Sequence, residues 1–253
     1  MLILIFIYGL VIGSFLNVCI YRIPREESIA FPSSRCPSCG TRISWYDNIP
    51  LVSYLFLLGR CRSCKSRIRI QYPLVEVING LSYLILYSYF GFSLDFIFYA
   101  LIFSVLIVIS FIDINEMLIP DILVFIVLFL GILHKLLNYL TYDISPGFLN
   151  SFGGLLIAGG LFFTIYLLSR GGMGDGDITL MAALGFILGT RLVFLSILLS
   201  FIIGAFVSIF LLLTRLKTRK DPIPFGPFIV IAFMITVLWG EDILYLYWSL
   251  IYS

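Results

Sequence analysis

Two aspartates and four cysteines are the residues of this sequence whose types and spacing could do chemistry. Asp113 lies in "SFIDINEMLIPD" and Asp177 in "SRGGMGDGDITLMAALG", each at the edge of a long apolar run. Acidic side chains in or beside membrane-spanning helices are costly, so their presence there points first to function. Two carboxylates that share a site can divide one proton, one serving as base on a water and the other as acid toward a carbonyl. That is the chemistry of aspartyl proteolysis.

The thiols make a different constellation. Cys36 and Cys39 in "RCPSCGTRI" and Cys61 and Cys64 in "RCRSCKSRI" form an internal repeat of the pattern RC-x-SC-x-x-RI, with 21 residues between Cys39 and Cys61. Two C-x-x-C knuckles at this distance supply four thiolates to one tetrahedral zinc ion, as in a zinc ribbon. Four cysteines leave no open position for water, so a structural ion is expected and not a catalytic one. A pair of disulfides is the alternative, disfavoured in a reducing compartment. Cys19, inside the first apolar run, reads as a small core residue.

The surroundings of these residues set the class of protein. The 253 residues are 61% hydrophobic and only 12% charged, with a mean hydropathy of +1.10. A soluble domain could not bury that much apolar surface, and the chain is expected to be an all-α polytopic membrane protein. Apolar runs mark about eight transmembrane helices, near 2–21, 74–91, 95–113, 121–140, 148–168, 177–190, 191–214 and 226–250. A tight turn at 189–191 would separate the sixth from the seventh. The first run lacks a basic leader region and a small-residue cleavage site, and reads as a retained helix.

Orientation follows from the basic residues. Nine of the 16 Lys and Arg fall between Arg22 and Arg69, and Arg170, Arg215, Lys217, Arg219 and Lys220 follow the fifth and seventh spans. If the first helix runs inward, these 14 share one side and only Lys135 and Arg191 face the other. The positive-inside rule makes the first side cytoplasmic. The N-terminus is then outside, and a small cytoplasmic zinc-ribbon-like domain lies between helices 1 and 2. Its arginines suit the anionic leaflet, at roughly 1 kcal/mol each near the surface, and the tethering at both ends favours the lipid bilayer over nucleic acid as partner.

On this topology the third span runs inward and the sixth outward. Asp113 and Asp177, 64 residues apart, therefore reach the same cytoplasmic depth. The third span presents Asp113 to the negative end of its helix dipole, and the sixth presents Asp177 to the positive end, which casts Asp177 as base and Asp113 as acid. Capping or first-turn charge accounts for Asp121 after Pro120. Asp175 reads as a solvated loop residue, and Asp177 could itself be the N-cap of its helix. Gly171, Gly172, Gly174 and Gly176 permit positive φ and would let a substrate backbone approach, with a flexible linker as the alternative. His134, Glu241 and Asp242 fall outside this site.

With these motifs in place, the sequence resembles the prepilin peptidases, bacterial inner-membrane aspartyl proteases of type IV pili and type II secretion. The resemblance rests on "GSFLNVCIYRIP", the C-x-x-C pair, "YPLVEVINGLSY", "FIDINEMLIPD", "GMGDGDITLMAALG" and "IPFGPF", and it covers nearly the whole chain. The family's G-x-G-D motif matches Gly174 to Asp177, which implies Asp113 and Asp177 as the catalytic pair. Thr179 departs from the lysine that relatives often carry there. The resemblance further implies cleavage of the leader of prepilin or pseudopilin precursors, then methylation of the new N-terminal amine from S-adenosylmethionine. No glycine-rich nucleotide fingerprint supports the second activity. Glu76, Gly13, Asn17 and Arg22 are its candidate residues, with helix packing and a juxtamembrane anchor as the alternative.

The expected organisation is a first helix over 1–21, a zinc-binding domain over 22–73 and a peptidase core over 74–253, with self-association left open. A peptidase without methyl transfer is one competing reading. A proton-coupled transporter is another, but the acids lie at helix ends and no inverted repeat is evident. A zinc-ribbon adaptor without chemistry would leave Asp113 unexplained.

Overall fold

The computed structural model describes residues 1–145, 147–169, 172–218 and 221–252. Arg170, Gly171, Arg219 and Lys220, used above for orientation and for the glycine loop, lie outside the described residues. Helices follow one another as α1 (Leu2–Arg22), α2 (Val52–Phe56), α3 (Gln71–Phe90), α4 (Leu94–Glu116), α5 (Asp121–Tyr142), α6 (Phe148–Ser169), α7 (Asp175–Leu213) and α8 (Gly226–Tyr252). Among the described residues there are no strands, only two isolated antiparallel bridges.

Among the described residues six helices, α1 and α4 to α8, are long and apolar enough to cross a membrane; α3 is not among them. The protein is thus an all-helical polytopic membrane protein. At 1.5 Å per residue the 39 residues of α7 would extend about 58 Å, nearly twice the hydrocarbon thickness of a bilayer. Gly189 interrupts it with φ 75° and ψ 179°, a conformation that a Cβ would make strained. The side chain of Asn150 on α6 holds the break, accepting from the Thr190 backbone N–H at 3.0 Å and from its hydroxyl at 2.5 Å.

The chain forms two compact units, residues 1–108 and 109–253. In the first, α1 packs along α3 because small residues let the backbones meet. A Cβ on Gly13 would lie 2.7 Å from the Glu76 Cα. The buried Asn79 amide donates to the Gly9 carbonyl at 2.7 Å and accepts from the Ser104 hydroxyl at 3.0 Å. A buried polar group thereby finds its partners within the packed helices.

In the second unit α7 packs against α5, α6 and α8. Its core includes Phe162, Leu180, Met181, Leu184, Phe186 and Phe233, all fully buried. Arg191 and Glu241 pair at 3.2 Å on the surface, and His134 is buried beside Asn138, with its Nε2 3.0 Å from the amide nitrogen. None of these polar groups belongs to the carboxylate site.

Candidate functional site

The carboxylates come together within the second unit. Helix α4 continues past Asp113 to Glu116 and stops where Met117 takes φ 53°. The next residues carry Ile119 against the start of α7, where a Cβ on Gly176 would lie 2.6 Å from the Ile119 Cβ. Asp113 and Asp177 are only 6% and 7% exposed, and the two carboxylates interact electrostatically.

Two details differ from the sequence reading. First, α7 opens at Asp175 with Gly174 as its N-cap, so Asp177 is the third residue of the helix and not its cap. Glycine is an adequate cap, and starting there buries Asp177 while Asp175 stays exposed. The Gly174 backbone N–H contacts the Asp177 carboxylate. Second, Gly174 and Gly176 do not have positive φ: Gly174 is extended at φ −73°, and Gly176 lies within the helix. Space against Ile119, not conformational freedom, is what requires a glycine at 176.

Sequence reasoning missed Gly226. Its backbone N–H, the first of α8, donates to Asp113 Oδ2 at 2.9 Å, and a Cβ there would lie 2.8 Å from the same oxygen. The first amides of a helix have no partner within it, and its N-terminus favours negative charge. Asp113 therefore meets the positive end of α8, not only the negative end of α4. Both carboxylates sit at helix N-termini, so the dipoles do not separate an acid from a base as the sequence suggested. "IPFGPF" was the available signal, but nothing in its spacing names the carboxylate that it meets.

The first unit holds the thiols. The Sγ atoms of Cys36, Cys39, Cys61 and Cys64 all lie within 4.8 Å of one another, and all four are free. Cys36 and Cys64 are 3.9 Å apart at sulfur, far from a disulfide and close to the edge of about 3.8 Å that 2.3 Å zinc–sulfur bonds give in a tetrahedron. The donor set therefore fits one zinc ion.

Each knuckle turns on the same bonds. Cys36 N–H donates to the Thr41 carbonyl and Cys61 N–H to the Ser66 carbonyl, both at 2.9 Å. Burial raises the Cys36 thiol, but the backbone N–H groups of Cys39 and Ser38 and the neighbouring thiols outweigh it and bring it to about 6. Cys64 is lowered as well, first by the Ser66 hydroxyl and backbone N–H, whereas Cys61, which shares hydrogen bonds with Cys36 and Cys64, is raised, so the thiols divide their protons unequally. Arg62 clasps Asp47 through two nitrogens at 2.8 and 2.6 Å and holds its carboxyl below the usual range.

The remaining candidates also lie in the first unit. Glu76, 7% exposed, accepts from the Leu51 N–H at 2.9 Å, and Gly13 gives α1 room to pass it. Asn17 donates to the Tyr72 carbonyl at 3.0 Å, while its buried Oδ1 has no hydrogen-bond partner among the described residues. Arg22, at the end of α1, donates to the carbonyls of Ser28 and Pro32 at 2.7 and 2.6 Å.

Fold and site together define a polytopic membrane protein with two interacting buried aspartates and a four-thiol metal cradle. Residues 7–90 match the bacterial peptidase A24 N-terminal domain, and residues 100–209 match the type IV leader peptidase family. The chain is 36% identical to the prepilin leader peptidase/N-methyltransferase of Aeromonas hydrophila, over 95% of this chain and 91% of that one. With the protein of the same name in Bacillus subtilis (strain 168) it shares 37% identity, over 98% of both. No solved structure matches the chain. It belongs to the type IV leader peptidase family.

Proposed function

We propose that this chain is a bifunctional membrane enzyme that removes the leader of type IV prepilin or pseudopilin precursors and then methylates the new N-terminal amine. The observation that carries the first activity is the pair Asp113 and Asp177, buried and interacting in one unit. One carboxylate takes a proton from water as its oxygen attacks the scissile carbonyl carbon. The other gives a proton to the carbonyl oxygen. Collapse of the resulting diol breaks the C–N bond as the newly protonated carboxyl gives its proton to the leaving amine and a diol hydroxyl returns a proton to the other carboxylate. The pair acts as one unit that shares a proton, without fixed roles for its members. Gly174, the N-cap of α7, and Gly176, in its first turn, border the site and are the substrate-facing glycines of this reading.

The second activity belongs to the first unit, with Glu76, Gly13, Asn17 and Arg22 as its residues. S-adenosylmethionine, when bound, supplies the electrophilic methyl group. Glu76 is a buried carboxylate anchored by a backbone amide, suited to hold the substrate ammonium or to take its proton. Cys36, Cys39, Cys61 and Cys64 hold a structural zinc ion that fixes the two knuckles to each other.

The organisation that accompanies this reading has eight spans, with Gly189 dividing α7 into two and α3 completing the set. The domain boundaries are 1–21, 22–73 and 74–253. The protein lies in the bacterial inner membrane with its N-terminus periplasmic and the aspartates on the cytoplasmic side, where the basic leader of a precursor is found. The bilayer and the precursors are its partners, and nucleic acid is not.

The test is to incubate purified enzyme with a leader-bearing prepilin and radiolabelled S-adenosylmethionine. The expected outcome is a shortened product that carries label at its N-terminus. Label in uncut precursor, or cleavage without label, would separate the two activities and remove one of them.

A further inference from the structure

Arg22 has features that helix packing does not explain. It is only 9% exposed, and two of its nitrogens are taken by the Ser28 and Pro32 carbonyls. Among the described residues no carboxylate pairs with it. Carbonyl oxygens satisfy two of a guanidinium's five N–H groups but do not neutralise its charge, and a buried charge without a counter-ion is costly. The side chain lines a cavity of about 300 Å³ whose walls include Ser14, Ser33, Ser34 and Asn48. A second cavity, of about 620 Å³, shares Ser33, Ser34 and Asn48 and adds the aromatic rings of Trp45 and Tyr46.

We propose that Arg22 holds the carboxylate of S-adenosylmethionine in the first cavity, with the nucleoside extending past Ser33, Ser34 and Asn48 toward Trp45 and Tyr46. This rests on the methyl-transfer reading and gives it a binding site. The two ends of the groove match the two ends of the ligand. A planar guanidinium recognises a carboxylate through paired hydrogen bonds, and an exposed aromatic surface stacks on a purine. The shared hydroxyl and amide side chains between them suit a ribose. The phosphate of an anionic lipid would also satisfy Arg22, but it would leave the aromatic end without a role.

Equilibrium binding to the full chain in phosphatidylcholine nanodiscs tests this, with S-adenosylmethionine and its decarboxylated analogue as probes. The wild type is expected to bind the first about tenfold or more tighter, as a charge-assisted hydrogen bond implies. Arg22→Met should bind the two alike, and Arg22→Lys should fall between. Because Arg22→Met also releases two carbonyls, Ser34→Phe provides a variant that keeps them. It should lose binding of both probes, with circular dichroism and gel filtration reporting the fold. Equal binding of both probes by the wild type, or discrimination retained in Arg22→Met, would overturn the role of Arg22 and leave methyl transfer standing. Absence of binding by the wild type would remove both. Phosphatidylglycerol added to the discs distinguishes the other anion source. If it abolishes the preference, the cavity holds a lipid headgroup and the proposal fails.

Discussion

Asp113 and Gly226 are joined by a 2.9 Å hydrogen bond across 113 residues of sequence. The bond places a carboxylate of α4 on the open end of α8, with no room for a side chain at the glycine. It also explains how a charge at the C-terminal end of one apolar helix is tolerated, since the first amide of another helix faces it.

Gly226→Ala should therefore disturb cleavage more than the fold. A Cβ there would lie 2.8 Å from Asp113 Oδ2, so the carboxylate must shift by several tenths of an ångström. Because misplacement of about 1 Å can cost about 100-fold in rate, kcat for prepilin cleavage should fall by about 10- to 100-fold. Gly160→Ala, whose Cβ would meet nothing within 4 Å, serves as the comparison and should cleave normally. Steady-state kinetics on both variants check this.

Removal of the metal should act on the first unit. Elemental analysis should find about one zinc per chain, as four thiolates at one centre imply, and none in the double variant Cys36→Ser/Cys61→Ser. Two zinc ions, or none in freshly purified wild type, would contradict the four-thiol site.

The Asp47 to Arg62 pair gives a pH dependence with a definite sign. The folded carboxyl is held low by Arg62, so its contribution is complete above the ordinary carboxylate range, near pH 4. It is lost as the pH falls through the lower folded value. Arg62 is largely exposed, so solvent screens the pair and Asp47→Asn should lower stability at pH 7 only slightly. Denaturation of both proteins should show the same gap at pH 7 and pH 5, and a gap that closes below pH 4.

Glu76→Ala should separate the two activities. Its carboxylate anchors Leu51 N–H in the unit that holds the thiols, so methyl transfer to a pre-cleaved pilin peptide should drop by about 10-fold or more while cleavage persists. Unchanged methylation would remove Glu76 from the reaction.

The sequence carried the parts of this structure that depend on pattern, and lost those that depend on packing between distant segments. The apolar runs delimit the long helices to within a few residues, and the repeat RC-x-SC-x-x-RI appears as two knuckles with matching backbone bonds. Helix direction alone was enough to pair Asp113 with Asp177 as an expectation, and the two do interact. The start of α7 was placed two residues late because aspartate outranks glycine as a cap in general, whereas here burial of Asp177 decides. Contacts such as Gly226 with Asp113, or Gly176 with Ile119, join segments whose spacing has no period. The cavity beside Arg22 is invisible in sequence for the same reason, because its walls come from α1 and from two separate stretches of the following loop.

The central claim is that Asp113 and Asp177 perform the cleavage together, and single-turnover cleavage of a prepilin by Asp113→Asn and Asp177→Asn tests it most directly. Each variant should lose about 1000-fold or more in rate, the range for removing one member of an acid–base pair, and the double variant should be no worse than either single one. Each should still methylate a pre-cleaved peptide, which shows that the chain is folded. Cleavage at the wild-type rate in either variant would contradict the account.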